Sequence, residues 1–308
     1  MIAFPALFNR RSSTIEPITW TQRTSSFSGN WIDWIYYGNG VWVACADNGN
    51  IATATDPTGT WTQRTSGFTA STIRGGCYGG GYYVNVGNDS KVYTAADPTS
   101  TWTANGSSFA GNLYSVDYDG TYFTAVSDDS CKIYTATDPT STWTQRHTQA
   151  GYLTCVAYGN SLWVAFGSNG AVDILFTATD PTSTWTSRTS PFSVTNPYGV
   201  DYGDGYWVAV GETGEMFYST DPTSSWSAIS SPFGTSNVNE VAYDSGSGVW
   251  VAVGAAGKLA TAVDPTGTWR LRTSSFGATN ITAVASNGSG LWVATAVSDK
   301  LATAVNGL

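Results

Sequence analysis

The fold class the sequence predicts is an all-β ring, a seven-bladed β-propeller with four antiparallel strands in each blade. Three observations predict it. An Asp-Pro-Thr turn closed by a tryptophan recurs six times, at Asp56, Asp97, Asp138, Asp180, Asp221 and Asp264, with Trp61, Trp102, Trp143, Trp185, Trp226 and Trp269. Trp20 is a seventh copy without its aspartate. A fixed period of roughly 40–45 residues built from strand-like segments marks a propeller blade. The second observation is the strand pattern inside each repeat, and the third is the complementarity of the two chain ends.

Within one repeat, residues 151–158 read as the innermost strand. Gly159-Asn160 reads as a hairpin turn in which both residues supply positive φ. Residues 162–166 read as the second strand, with counterparts at 41–44, 82–86, 122–126, 206–210, 249–253 and 291–295. Dense runs of Val, Ala and aromatics suit a strand covered on both faces by neighbouring blades. A polar turn follows, such as Asn48-Gly49 or Asp128-Asp129, then a third strand such as 91–96. The Asp-Pro-Thr turn leads into a fourth strand such as 60–65.

The last repeat supplies only three strands, ending at Lys300-Leu301-Ala302-Thr303-Ala304-Val305-Asn306. Its missing fourth strand stands at the other end of the chain, Ile18-Thr19-Trp20-Thr21-Gln22-Arg23. Pairing the two closes the ring and removes two open sheet edges. Asn306-Gly307 and Glu16-Pro17 are then expected side by side. Residues 15–308 are expected to form one propeller domain, and residues 1–14 an N-terminal arm or a disordered tail outside the repeat. Ile2, Phe4, Leu7 and Phe8 give that arm an apolar face, too small to fold alone and suited to docking on another subunit.

Composition narrows the function. The net charge is −9 and charged residues are only 11 % of the chain, which argues against nucleic acid as a partner. No apolar stretch approaches the length needed for a membrane span, so no membrane insertion is expected. Cys45, Cys77, Cys131 and Cys155 lack metal-site spacing, and the lone His147 cannot complete one. They read as buried free thiols of a protein assembled in a reducing cytoplasm. No metal and no cofactor is expected.

An aspartate followed by proline builds a turn, because the carboxylate accepts backbone N–H bonds while proline holds φ. Ser219-Thr220-Asp221-Pro222-Thr223-Ser224-Ser225-Trp226 resembles the Asp-box (BNR-type) propeller turn, although Thr replaces the family's middle glycine. The combination of Trp-Val-Ala-Val-Gly, Thr-Asp-Pro-Thr and Trp-Thr-Gln-Arg-Thr-Ser is similar to repeats of tailed-bacteriophage virion proteins, over about 95 % of the chain. That resemblance implies a virion protein of the head or tail, with other virion proteins as partners through the N-terminal arm.

Sialidases are Asp-box enzymes, and their resemblance implies an arginine triad. Here Arg23, Arg64, Arg146, Arg188 and Arg272 belong to the repeated fourth strand, and Arg74 alone is expected near the axis. Asp33 and Glu240 are the inner-strand carboxyl candidates for glycosidase chemistry, with Glu240 also readable as a solvated channel residue. No nucleophile elbow accompanies His147, and no phosphate-binding loop occurs in a strand-to-helix setting. The expectation is therefore no enzymatic activity.

Residues that break the repeat are free to carry specificity. At the entrance of the inner strand these are Asp33, Arg74, Tyr114, Thr154, Tyr198, Asn239 and Thr282, expected to ring one mouth of a central channel. Trp31 and Trp34 stand beside them. Acidic turns (Asp47, Asp89, Asp128, Asp129, Asp173, Glu212, Glu215) open on the same face. The candidate ligand-binding set is Trp31, Asp33, Trp34, Arg74, Tyr114, Tyr198 and Asn239. Aromatics beside Asp and Asn suit a host-surface glycan, carboxylate rims suit Ca²⁺, and a plain solvated rim is the third reading. A free carbohydrate-binding lectin is the alternative to the virion protein.

Overall fold

The computed structural model describes residues 19–69, 71–193 and 196–305. They form seven four-stranded antiparallel sheets. The innermost strands are Ile32–Gly38, Ile73–Gly79, Leu113–Tyr118, Tyr152–Gly159, Pro197–Gly203, Val238–Asp244 and Ile281–Ser286. Six sheets use four consecutive strands. In the seventh, Thr21–Arg23 pairs with Lys300–Val305 in the register Thr21↔Thr303, Gln22↔Ala302 and Arg23↔Leu301. The N-terminal strand thus closes the ring. The arm at 1–14, with Ile2, Phe4, Leu7 and Phe8, lies outside the described residues, as do 16–17 and 306–307.

The core sits between blades, where each sheet covers the face of the next. Val208, Val210 and Met216 of one blade pack with Trp250, Ala252 and Ala260 of its neighbour. Across the join, Trp20 shares a cluster with Val251, Trp292 and Ala302. The second-strand tryptophans Trp42, Trp163, Trp207, Trp250 and Trp292 are fully buried, with Tyr83 and Phe123 in that place in the other two blades. Each such ring removes on the order of 200 Å² from water.

The hairpin turns differ from expectation in one detail. Asn160 and Ser161 carry the positive φ values, 48° and 60°, while Gly159 ends the inner strand. Two successive left-handed residues make the turn whose twist matches the strands it joins. Gly159 serves a close approach instead: a Cβ there would stand 2.3 Å from Cβ of Tyr202 in the next blade. Gly203 makes the same room for Tyr243.

The Asp-Pro-Thr turns behave as elementary chemistry dictates. Asp138 Oδ1 accepts the Thr140 N–H at 2.8 Å and its hydroxyl at 2.7 Å, and the Ser141 N–H returns to the Asp138 carbonyl at 3.0 Å. The five other aspartates accept the same two bonds from their threonines. The following tryptophan donates its indole N–H to the proline carbonyl, as Trp143 does to Pro139 at 3.2 Å. Trp226 departs from this: it is half-buried, its indole nitrogen has no partner, and it packs edge-on against Phe166.

Candidate functional site

A central cavity of about 750 Å³ runs between the inner strands and takes residues from all seven blades. Its mouth is built by a backbone irregularity. Every inner strand skips one residue of register against the second strand, between Ile32 and Trp34, Ile73 and Gly75, Leu113 and Ser115, and at the equivalent place in the remaining blades. The extra residues are Asp33, Arg74, Tyr114, Thr154, Tyr198, Asn239 and Thr282, and all seven line the cavity. A β-bulge re-aims the side chain it carries. The sequence identified these positions by their variability. It did not show the bulge that turns them inward.

Three of the seven are bonded to the next blade. Thr154 donates its hydroxyl to the Pro197 carbonyl at 2.7 Å, Asn239 donates from Nδ2 to the Ile281 carbonyl at 2.6 Å, and Thr282 donates to the Ile32 carbonyl. Arg74 donates from Nε to Asn88 Oδ1 at 3.1 Å and lies 5.4 Å from the centre of the Tyr114 ring. Tyr198 donates its hydroxyl to Glu212 at 2.5 Å. Asp33 is the exception: its Oδ2 is buried without a hydrogen-bond partner. Burial pushes its carboxyl up to about 6, with Arg74 lowering and Asp47 raising the value.

The acidic turns stand on the same face, tied to the inner-strand entrances. Asp128 accepts from the backbone N–H and Nδ2 of Asn112 at 2.7 and 2.8 Å. Glu212 likewise accepts from Asn196 Nδ2 at 2.9 Å. Burial raises Glu212, but the bonds from Tyr198 and Asn196 prevail and hold it below the usual range. In the first blade the residue facing the turn is Trp31. Asp47 gives its backbone N–H to the Trp31 carbonyl at 3.0 Å, but its own Oδ1 is buried without a partner. The Trp31 side chain points outward and is 55 % exposed. Trp34 lines the cavity, with its indole N–H committed to the Gly76 carbonyl at 2.9 Å.

Deeper in the channel lie Asp117 and Asp201, which the sequence reading did not single out, together with Glu240, which it did. Asp117 accepts backbone N–H bonds from Tyr118 and, in the next blade, Tyr158, both at 2.8 Å. Asp201 does the same with Tyr202 at 2.7 Å and Tyr243 at 2.8 Å. Each therefore staples two inner strands. Burial dominates over these bonds and pushes Asp117 to about 6 and Asp201 to about 7. Glu240 is buried rather than solvated, accepts from the Val241 N–H at 2.9 Å, and is pushed by burial to about 8. For Asp117 and Asp201 the signal in the sequence was an Asp where other repeats carry Tyr36, Cys77, Ala157, Ala242 and Ala285.

The repeated arginines stay at the ring's edge. Arg23, Arg64, Arg146 and Arg272 each donate from Nε to a third-strand threonine of their own sheet at 2.8 Å, and Arg188 does so at 3.0 Å. The four cysteines are free and buried. His147 lies against Phe176 at the outer strand, 4.4 Å between ring centres. Among the described residues no group of three or more His, Cys, Asp or Glu side chains is placed to hold a metal ion. No helix among them is long and apolar enough to cross a membrane.

No protein-family model matches the chain, and no curated protein matches its sequence. Solved structures do match it. The chain is similar to Ycf48 bound to a D1 peptide, with a TM-score of 0.76 and 15 % identity over 99 % of this chain and 100 % of that one. Ycf48 from Cyanidioschyzon merolae gives 0.75 at 15 % identity, covering 93 % and 98 %. The WD40 propeller domain of Doa1 gives 0.74 at 9 % identity, covering 94 % and 98 %. At such identities the likeness is one of fold, and the fold is the β-propeller.

Proposed function

We propose that the chain is a non-enzymatic binding and structural module of a bacteriophage virion, assembled in the host cytoplasm, that engages a partner protein at the open mouth of its channel. The observation that carries this reading is the division of labour among polar residues. Those that repeat are consumed internally, the aspartates by their turns and the arginines by neighbouring threonines. Those that differ from blade to blade sit on seven bulges around one mouth. A rigid ring with one non-repeating face suits recognition. A propeller of the same fold, Ycf48, carries a bound peptide.

The absence of enzymatic activity is part of the proposal. Asp117 and Asp201 are held by backbone N–H groups of two blades, which suits stapling better than proton transfer. The virion assignment is supported by the repeat motifs, and the arm at 1–14 is the proposed attachment to other virion proteins. The test is to purify particles from a lysate expressing the parent phage genes. The full chain should copurify, a chain lacking residues 1–14 should be released, and a glycoside panel should show no turnover. Absence from particles would overturn the assignment. Turnover abolished by Asp33→Asn would establish an enzyme instead.

A further inference from the structure

Five blades close their outer edge with one bond, an arginine Nε donated to a third-strand threonine: Arg23 to Thr303, Arg64 to Thr53, Arg146 to Thr135, Arg188 to Thr177 and Arg272 to Thr261. The two remaining blades lack the arginine, and they differ. In the fifth blade, with inner strand Pro197–Gly203, both partners have changed together, to Tyr218 and Ile229, which pack into one inter-blade cluster. In the second blade, with inner strand Ile73–Gly79, only the donor has changed. Thr94 keeps the acceptor, and Asn105 stands where the arginine would, its backbone N–H on the Val92 carbonyl at 2.7 Å. The Asn105 side chain is committed elsewhere. Its Nδ2 donates to the Pro139 and Ser141 carbonyls at 2.9 and 2.7 Å, and its Oδ1 accepts the Ser107 N–H at 2.7 Å. Thr94 is 6 % exposed, and its hydroxyl has no hydrogen-bond partner among the described residues. Buried polar groups are normally paired, so one left over calls for an explanation.

The missing side chain leaves a cavity of about 260 Å³ between the second and third blades. Thr94 lines it with Ala95 and Ala104, and Thr140 of the next blade's Asp-Pro-Thr turn stands across from them. Ala104 and Thr140 are exposed, so the cavity opens to solvent. It is smaller than the roughly 300–1,000 Å³ of ordinary small-molecule sites and suits a single side chain. The electrostatics agree. Arg23, Arg64, Arg146 and Arg188 each help to lower the turn aspartate of the following blade, Asp56, Asp97, Asp180 and Asp221. Asp138 follows Asn105 instead, and is held low by Thr140 and Ser141 without an arginine. Thr94 lacks its donor and Asp138 its counter-charge at the same place.

We propose that this cavity is a binding site for an alkyl guanidinium group, supplied as an arginine side chain by a partner polypeptide. It lies apart from the channel mouth and does not depend on the reading proposed there. The incoming group takes the place that five sibling blades fill from their own chain, donating to Thr94 with its charge toward the Asp138 turn. Its methylenes lie against Ala95 and Ala104, as long cationic side chains lay their stems on apolar surface. A guanidinium presents several donors in a fixed plane and is weakly hydrated. A lysine ammonium is a compact, strongly hydrated point charge and loses more on leaving water.

The experiment uses the full chain with methylguanidinium and three blocked tripeptides: acetyl-Gly-Arg-Gly-amide, acetyl-Gly-Lys-Gly-amide and the citrulline analogue, which keeps the shape of arginine without its charge. Binding is followed at low salt by the backbone amide resonances of Thr94 and Ala104, with Thr53 and Gln63 as their counterparts in an arginine-filled blade. Methylguanidinium and the arginine peptide are expected to shift Thr94 and Ala104 and to leave Thr53 and Gln63 in place. The lysine and citrulline peptides should shift them less. Thr94→Val, read at Ala104, should weaken arginine-peptide binding about tenfold, and Asp138→Asn about two- to fivefold. Asn105→Arg should abolish binding by filling the cavity from within. Melting curves show whether the variants remain folded, and Thr94→Val carries the test if Asn105→Arg does not. No shift with either guanidinium probe, equal shifts with the lysine or citrulline peptide, equal shifts at Thr53 and Gln63, or unchanged binding in Thr94→Val would each overturn the site. Shifts with methylguanidinium but not with the arginine peptide would overturn the polypeptide source.

Discussion

Arg23 donates from Nε to Thr303 Oγ1 at 2.8 Å, joining residues 280 positions apart in the chain. Arg64 with Thr53 and Arg146 with Thr135 make the same bond inside a single repeat. The closing blade is therefore held as the others are, although its outer strand comes from the opposite end of the chain. Trp20, 5 % exposed, packs into the interface beside it. Trp20→Ala is expected to cost about 3–5 kcal/mol, and Arg23→Ala about 1 kcal/mol. Denaturant titration measures both, and a negligible effect of Trp20→Ala would mean that the ring does not depend on this closure.

The channel carboxyls predict an unusual pH dependence. Asp33, Asp117, Asp201 and Glu240 titrate at about 6, 6, 7 and 8, above the ordinary 3.8 of aspartate and 4.5 of glutamate. At intermediate pH the folded protein holds more protons than the unfolded chain. Linkage then makes stability greatest on the acid side of this window and lowers it as pH rises from about 5 to 8. The slope reaches about 1.4 kcal/mol per pH unit for each group. Melting temperatures between pH 4.5 and 8.5 should fall with pH, and Glu240→Gln should flatten the upper part of the curve. A melting temperature that climbs steadily to pH 8 would contradict the assignment.

The turn aspartates Asp56, Asp97, Asp138, Asp180 and Asp221 set the opposite limb. Bonds from Thr140, and behind them Ser141, hold Asp138 below its ordinary 3.8, against a small opposing effect of burial. Such groups contribute stability above the unfolded value that is lost as pH falls through the lower folded one. Asp138→Ala should lower the melting temperature by about 2–4 °C. Asp138→Asn should lower it less, because an asparagine oxygen accepts the same two bonds. Equal losses in the two variants would assign the effect to charge rather than to turn geometry.

Trp31 and Trp34 stand three residues apart and should respond differently to truncation. Trp34 packs against two inter-blade clusters and bonds to Gly76, so Trp34→Ala is expected to cost about 2–3 kcal/mol. Trp31, largely exposed, should change stability by less than about 0.5 kcal/mol when replaced by alanine. Thermal unfolding of the two variants separates a structural wedge from a surface contact.

Much of this architecture was readable from residue order because each blade repeats the same local chemistry. The Asp-Pro-Thr turn, the buried tryptophan after it and the Arg–Thr bond follow from neighbours within about a dozen residues. The hairpin detail was not readable, since Gly159 answers to Tyr202 of another blade. The candidate site was partly visible: variability at Asp33, Arg74, Tyr114, Tyr198 and Asn239 located the mouth. The different fates of Trp31 and Trp34, one outside and one wedged, were hidden in identical letters three positions apart.

By itself the sequence determined the number of blades, their strands, the turn chemistry and the way the ends meet. These depend on short-range pairing and a regular period. Only the tertiary structure decided which side chains share the channel. Asp117 reaches Tyr158 and Asp201 reaches Tyr243 because seven sheets converge on one axis. The same convergence takes water from four carboxyls and leaves Asp33 and Asp47 each with an oxygen that no neighbour satisfies. Burial and pairing across blades are properties of the closed ring, and a linear chain carries no local record of them.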